Sequence, residues 1–361
     1  MTIDPKTRYP AFPERNPAPS YKRIATEEAW IPPELVELYV KGLADGTLTD
    51  PGFRSLWGFY ASPRTERARI QNRRIQTLGE ERISDMDGSG IDMQVVSLGS
   101  PGVQIFEPKR ASALARSAND QLAEGIKRYP DRYVGLAAFS PLDPDEAAKE
   151  LERGVTKLGL RGGILNSHTM GTYLDDQKYW PVFEAAEALD VPIYLHPNTP
   201  SPQMIEPFLK HGLDAAIWGF PTEAGLHALR LLVSGLFDRF PKLQIVLGHC
   251  GEALPFWLYR IDFMHGHIST SQRYEHVKPL KKRAWDYLVE NFYYTSSGVG
   301  WTPPVEFVRN VIGADRMMYA MDYPWQFVPG EVGALDAMKI GEQALKEFYE
   351  DNARRLFKIP K

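Results

Sequence analysis

Eight short apolar runs, set far apart, constrain what this chain can fold into more than any other feature. They lie at residues 23–26, 93–98, 134–139, 162–165, 191–195, 243–247, 292–295 and 317–321. Each is apolar nearly throughout, as expected of strands buried on both faces. Helix-like patterns fill the gaps. In residues 110–128, Leu114, Ala118, Leu122 and Ile126 recur at a spacing of four. Residues 144–158 form another such pattern, opened by Asp143 as an N-cap. Further patterns run over 179–189, 223–237, 281–290, 303–312 and 342–357. Strands alternating with helices imply a parallel sheet, because a parallel crossover needs a connection of helix length. Eight such units predict an α/β fold, a (β/α)8 TIM-like barrel. The alternative is a long open Rossmann-like sheet, but no run is followed by GxGxxG.

The barrel domain is expected to span residues 21–361. Residues 1–20 read as an extended arm, since Pro5, Pro10, Pro13, Pro17 and Pro19 block regular pairing. Residues 41–81, which contain Trp57-Gly58-Phe59-Tyr60, form an insertion after the first strand. Residues 268–279 are polar and read as a second excursion.

Composition narrows the function. Forty-two Lys and Arg against 46 Asp and Glu leave a charge of −4, without the basic excess that nucleic-acid binding needs. No apolar run approaches the ~18 residues of a membrane span. The opening residues lack the apolar core of a secretory signal. The single cysteine, Cys250, excludes an internal disulfide and any CxxC motif, and reads as an inert buried thiol. A cytoplasmic protein is the expectation.

Barrel chemistry sits at the C-terminal ends of strands. The runs here end in Thr26-Glu27-Glu28, Asn166-Ser167-His168, Leu195-His196-Pro197, Gly248-His249-Cys250-Gly251-Glu252, Ser296-Ser297-Gly298 and Met321-Asp322-Tyr323-Pro324. Glu27, His196, His249 and Asp322 are the donor types of a metal site. His211, His265, His267 and His276 read as ordinary core or surface residues. His227 lies in a helical run, where packing is an equal explanation. Glu252 stands where it could orient His249, or serve only as a helix N-terminal acid.

The strand-end motifs other than Ser296-Ser297-Gly298, together with Trp57-Gly58-Phe59-Tyr60, Ser100-Pro101-Gly102-Val103-Gln104 and Ser271-Gln272-Arg273-Tyr274, resemble the amidohydrolase-related decarboxylases. That group includes the aminocarboxymuconate semialdehyde, γ-resorcylate and 5-carboxyvanillate decarboxylases. The resemblance is greatest to the carboxyvanillate and γ-resorcylate branches, and runs in order from Arg23 to the C-terminus. It implies a (β/α)8 barrel, a divalent ion (Mn2+ first, with Zn2+ or Mg2+ as alternatives), no organic cofactor, and non-oxidative decarboxylation of an ortho-hydroxybenzoate in aromatic catabolism. It matches Glu27, His196 and Asp322 to the metal ligands. It matches Asp322, His249 and Glu252 to the catalytic groups. Arg67, Arg260, His168, His227 and Trp325 match substrate-binding positions, Arg260 reaching a neighbouring subunit's site in a homo-oligomer, dimer or tetramer. Three positions depart from relatives. Ala29 stands where many carry a histidine, Trp325 where the carboxyvanillate branch has a tyrosine, and Gly99 where it has a threonine, a change expected to enlarge the cavity.

The expected chemistry is protonation by Asp322 of the ring carbon that bears the carboxylate, followed by loss of CO2. A mononuclear metal-dependent hydrolase acting on an amide, ester or lactone is the alternative on the same barrel. Against it, the first strand lacks His-x-His and no lysine follows the fourth run. A catalytically silent binding barrel would have no use for the Glu, His and Asp at the strand ends.

Overall fold

A computed structural model describes residues 12–271 and 273–361. The expected barrel is there. Its strands are β1 (Ile24–Trp30), β2 (Met93–Leu98), β3 (Tyr133–Gly135), β4 (Ala137–Ala138), β5 (Gly163–Asn166), β6 (Ile193–His196), β7 (Ile245–Leu247), β8 (Phe292–Thr295) and β9 (Met317–Met318). Every neighbouring pair is parallel. The third apolar run is split at Leu136: β3 pairs with β2, and β4 with β5. Two hydrogen bonds bridge the break, Leu136 N–H to Val96 O at 2.9 Å and Ala137 N–H to Gly162 O at 2.8 Å. On the other side the circle closes through Thr26 N–H to Tyr319 O at 3.0 Å and Ala29 N–H to Tyr323 O at 2.8 Å.

Side-chain alternation sorts each strand into two packing layers. Ile193 and Leu195 of β6 pack with helix residues such as Leu151, Phe183 and Leu231. Tyr194, between them, joins Ile164, Val246, Tyr293 and Met318 inside the barrel. The same period of two aims His196, Thr295 and Asp322 along the interior line of Tyr194, Tyr293 and Met318. β1 departs from simple alternation. Ala25 pairs with Gln94 but Glu28 pairs with Val96, so β1 carries one extra residue. This bulge reverses the parity and turns Glu27, not Glu28, inward.

Several expectations shift. β1 runs on to Trp30, so the Glu27-Glu28 pair lies within the strand and not beyond it. Asp143 occupies the N-cap of Pro144–Leu158, but its side chain makes no capping bond. The pattern at 342–357 is broken by a π-turn over Glu347–Asp351. The insertion is helical, with Pro33–Ala44, Pro51–Ala61 and Glu66–Ile75 in succession. Asp50 caps the second by accepting from Phe53 N–H at 2.8 Å, and Thr65 caps the third by accepting from Ala68 N–H at 3.2 Å. The supposed excursion begins inside a long helix, Leu254–Thr270, that no sequence pattern marked. Of the arm, residues 1–11 lie outside the described residues, as does Gln272. Residues 12–20 form neither helix nor strand. They are pinned by Asn16 N–H to the Asp336 carboxylate at 2.8 Å, which Arg23 also grips at 2.6 Å.

Candidate metal and substrate site

At the C-terminal mouth, ligand atoms of Glu27, His249 and Asp322 all lie within 4.8 Å of one another. His196 flanks them, its Nε2 3.5 Å from Glu27 Oε1, while His249 Nε2 is 3.6 Å from the same oxygen. The four strand-end residues singled out in the sequence therefore meet at one point. The tightest threesome contains His249 where the family resemblance placed His196.

Glu27 is divided in its bonding. Its Oε2 accepts from Tyr194 OH and, at 3.2 Å, from Thr295 Oγ1. Its Oε1 is buried and has no hydrogen-bond partner. His196 donates from Nδ1 to the Pro197 carbonyl at 2.7 Å, which leaves a lone pair on Nε2. Burial holds the His196 pKa below the ordinary imidazole value, against the pull of Glu27, and so keeps the ring neutral. Two acceptors thus face each other with no donor between them, an arrangement that a cation resolves. Gly248 makes room for this: a Cβ there would lie 2.4 Å from Glu27 Oε2.

His249 is delivered by unusual backbone. His249, Cys250, Gly251, Glu252 and Ala253 have φ of 48°, 56°, 82°, 50° and 66°, a single left-handed turn closed by Gly251 N–H to Gly248 O at 2.6 Å. Non-glycine residues there cost about 1–2 kcal/mol each. The turn brings Glu252 Oε1 within 2.7 Å of His249 Nδ1. Burial opposes a charge on His249, but Glu252, Glu27 and Asp322 together push its pKa up to about 10. Asp322 has a left-handed φ of 69°. Burial raises its pKa well above the carboxylate range; His249 lowers it, and Glu27, Glu28 and Glu331 add to the rise.

A cavity of about 600 Å³ opens from this point. His196, His249, Asp322, Ser100 and Gly298 line its polar end. Trp57, Phe59, Tyr60, Phe220 and Trp325 supply aromatic walls, and Arg67 and Gln326 add polar groups. Trp325 rests 4.7 Å from the Tyr60 ring, and its carbonyl accepts from Gln71 Nε2 at 2.6 Å. The Trp57-Gly58-Phe59-Tyr60 cluster of the insertion lines the cavity through Trp57, Phe59 and Tyr60.

His168 and His227 are not among the lining residues. His168 accepts from Gly171 N–H at 3.1 Å and donates to Thr199 O at 3.0 Å. His227 Nε2 accepts from Leu174 N–H at 3.2 Å, and its Nδ1 lies 3.3 Å from Ser167 Oγ. Burial pushes the His227 pKa down to about 3, helped by His168 and Arg230. Both rings are consumed in tying loops together. Arg260 is exposed on the outer face of Leu254–Thr270, away from this cavity. Gly99 does not enlarge the cavity. A Cβ there would meet Ile31 at 3.2 Å and Ala29 at 3.3 Å, behind the lining. Burial and Glu252 push the Cys250 thiol up to about 12, as an inert thiol requires.

Comparison with known proteins agrees with this geometry. A family profile described as amidohydrolase matches residues 26–359. A γ-resorcylate decarboxylase from a Polaromonas species is 39% identical over 79% of this chain and 89% of its own length. A 5-carboxyvanillate decarboxylase from Novosphingobium aromaticivorans was solved with manganese and 4-hydroxy-3-methoxy-5-nitrobenzoic acid. It superposes with a TM-score of 0.93 at 47% identity, over 99% of this chain and 100% of that one. A dihydroxybenzoic acid decarboxylase from Polaromonas, bound to manganese and 2-nitroresorcinol, gives 0.81 at 36% identity, over 94% and 97% of the two chains.

Proposed function

The chain belongs to the amidohydrolase family, and on that premise we propose that it is a non-oxidative, metal-dependent decarboxylase, a carbon–carbon lyase, acting on an ortho-hydroxybenzoate. The observation that carries this is the convergence of two carboxylates and two imidazoles at the polar end of an aromatic-walled cavity.

Glu27, His196 and Asp322 would hold the ion. The unpartnered Glu27 Oε1 and the lone pair of His196 support that set, and oxygen donors with one imidazole and no thiolate suit Mn2+, with Zn2+ or Mg2+ as alternatives. When bound, a divalent ion would supply the positive charge that lowers the phenol pKa and helps to hold the substrate.

The chain's own groups do the rest. Burial and acidic neighbours oppose the ionisation of Asp322, but the ion it would hold favours its ionised form, so its proton has to come from the substrate phenol or through His249. Asp322 delivers that proton to the ring carbon bearing the carboxylate, and aromaticity is broken. The C–C bond then cleaves, its electron pair returns to the ring, and CO2 leaves. The ring is its own electron sink, so no organic cofactor takes part. His249, backed by Glu252, is placed to return a proton to Asp322. A cavity of about 150 Å³ suffices for one benzene ring. The site's volume of about 600 Å³ leaves room for further ring substituents. Assaying a panel of 2-hydroxybenzoates for CO2 release, with elemental analysis of the protein, tests the reading. Cleavage of esters, amides or lactones without CO2 release would replace it with a hydrolase.

Arg67 faces the cavity beside Tyr60 and would pair with an anionic group on the far side of the ring. Arg67→Ala is expected to raise KM by about tenfold for substrates with a distal carboxylate. It should change KM little for those without one; equal effects on both would remove the assignment.

A homo-oligomer is the further reading. Leu254–Thr270 exposes Phe256 (71%), Trp257 (50%), Tyr259 (73%) and Phe263 (51%) around Arg260. An apolar face of this kind marks a protein contact, and a second copy would bring Arg260 to a neighbouring site. Sedimentation should show a dimer or tetramer that Tyr259→Glu dissociates. A wild-type monomer at micromolar concentration would end this reading. Among the described residues no helix is long and apolar enough to cross a membrane.

A further inference from the structure

Glu28 lies next to Glu27 in sequence but on the opposite side of β1, because the bulge turns only Glu27 inward. It is fully buried, and each of its oxygens accepts from a backbone amide, Oε2 also lying 3.5 Å from the Gln94 Nε2 donor. Oε1 accepts from Met321 N–H at 2.9 Å, and Oε2 accepts from Tyr323 N–H at 3.1 Å. Those amides bracket Asp322. Ladder bonding between β1 and the chain after β9 is interrupted here. It holds at Thr26–Tyr319 and resumes at Ala29–Tyr323, leaving the amides on either side of residue 322 without a backbone acceptor on β1.

Asp322 itself has a φ of 69°, where a non-glycine residue persists only if its surroundings hold it. The Glu28 carboxylate is held in turn. Gln94 and the fully buried Arg82 stand beside it, Arg82 donating to Gln94 Oε1 at 2.6 Å and to Ala29 O at 2.8 Å. The Arg82 guanidinium also lies 4.6 Å from the Tyr323 ring centroid.

We infer that Glu28 is a positioning residue, a side-chain substitute for the missing strand partner, which fixes Asp322 in its left-handed conformation so that the Asp322 carboxylate faces Glu27 and His249. This goes beyond the decarboxylase reading, which uses Asp322 but says nothing of what holds it.

The test is Glu28→Gln in the full-length, manganese-loaded protein. Glutamine offers one carbonyl acceptor and one amide NH2 donor, so one of the two backbone amides would meet a donor. Deuterium exchange of the Met321 and Tyr323 amides should quicken at least tenfold, with the β6 and β7 amides unchanged. Turnover should fall by about 10- to 10²-fold with KM within about twofold, since small misplacement of a reacting group carries costs of that size. Unchanged exchange at those two amides overturns the inference. So does a folded variant with a lower melting temperature but wild-type kcat, which is what a purely structural role gives. If Glu28→Gln does not fold, Glu28→Asp keeps the charge and shortens the reach. It should show the same quickened exchange, and wild-type exchange there would be equally decisive. The turnover measurement depends on the decarboxylase reading; the exchange measurement does not, so the two can fail separately.

Discussion

Asp322→Asn should retain substantial metal and bind an unreactive hydroxybenzoate analogue with little loss, yet turn over at least ~10²-fold more slowly, the usual loss on deleting a general acid. Asparagine keeps an oxygen for the ion and tolerates positive φ, so the backbone at 69° is not disturbed. What it lacks is the acidic proton. Burial, with Glu27, Glu28 and Glu331 nearby, opposes the ionisation of Asp322, while the ion it would hold favours it, so that proton has to be supplied by the substrate phenol or through His249. His249 also favours the ionised form, and its Nδ1 is committed to Glu252 at 2.7 Å. Metal content by elemental analysis, analogue binding by calorimetry and kcat by CO2 release separate the possibilities. A variant that keeps its metal and runs at the wild-type rate rules out Asp322 as the proton donor. One that loses the metal would show that its coordinating role outweighs its acid role.

Much of this was legible in the residues, and what was not has identifiable physical causes. Strand-end polarity located Glu27, His196, His249 and Asp322, because a parallel barrel admits polar side chains only at its mouth. Nothing in Ile24-Ala25-Thr26-Glu27-Glu28-Ala29 says which glutamate faces inward, since a bulge is a tertiary feature and flips parity without a local signature. The left-handed turn at His249–Ala253 runs against local preference in four of its five residues, and Gly248 and Gly251 were the only hints. Helix Leu254–Thr270 has no amphipathic signature because its exposed face carries Phe256, Trp257, Tyr259 and Phe263 while its buried face carries Leu254, Pro255 and Leu258, so the period of 3.6 carries no contrast. The insertion's helices could have been found from Asp50 before Pro51 and from Thr65 three residues ahead of Ala68. His168 follows a strand, but a strand end also has backbone groups to satisfy, and those consume its ring.

Removing the divalent ion is expected to have the largest effect of all. Without it, the facing acceptors Glu27 Oε1 and His196 Nε2, 3.5 Å apart, have nothing between them, and Asp322 lies within ligand distance of the same carboxylate. The ion's charge on the reacting oxygens is worth several kcal/mol, so a chelated enzyme should turn over at least ~10³-fold more slowly. Stability should follow. An ion held at 100 times its Kd stabilises the fold by about 2.7 kcal/mol. At this chain length that corresponds to a melting shift of about 4 °C. Dialysis against a chelator, followed by separate additions of Mn2+, Zn2+ and Mg2+, reads both quantities on one sample. Recovery of rate and melting temperature with the same ion, at the same half-saturating concentration, would tie them to one site. Full activity in protein verified as metal-free would show that Glu27, His196 and Asp322 act unaided, and the mechanism built on the ion would fall.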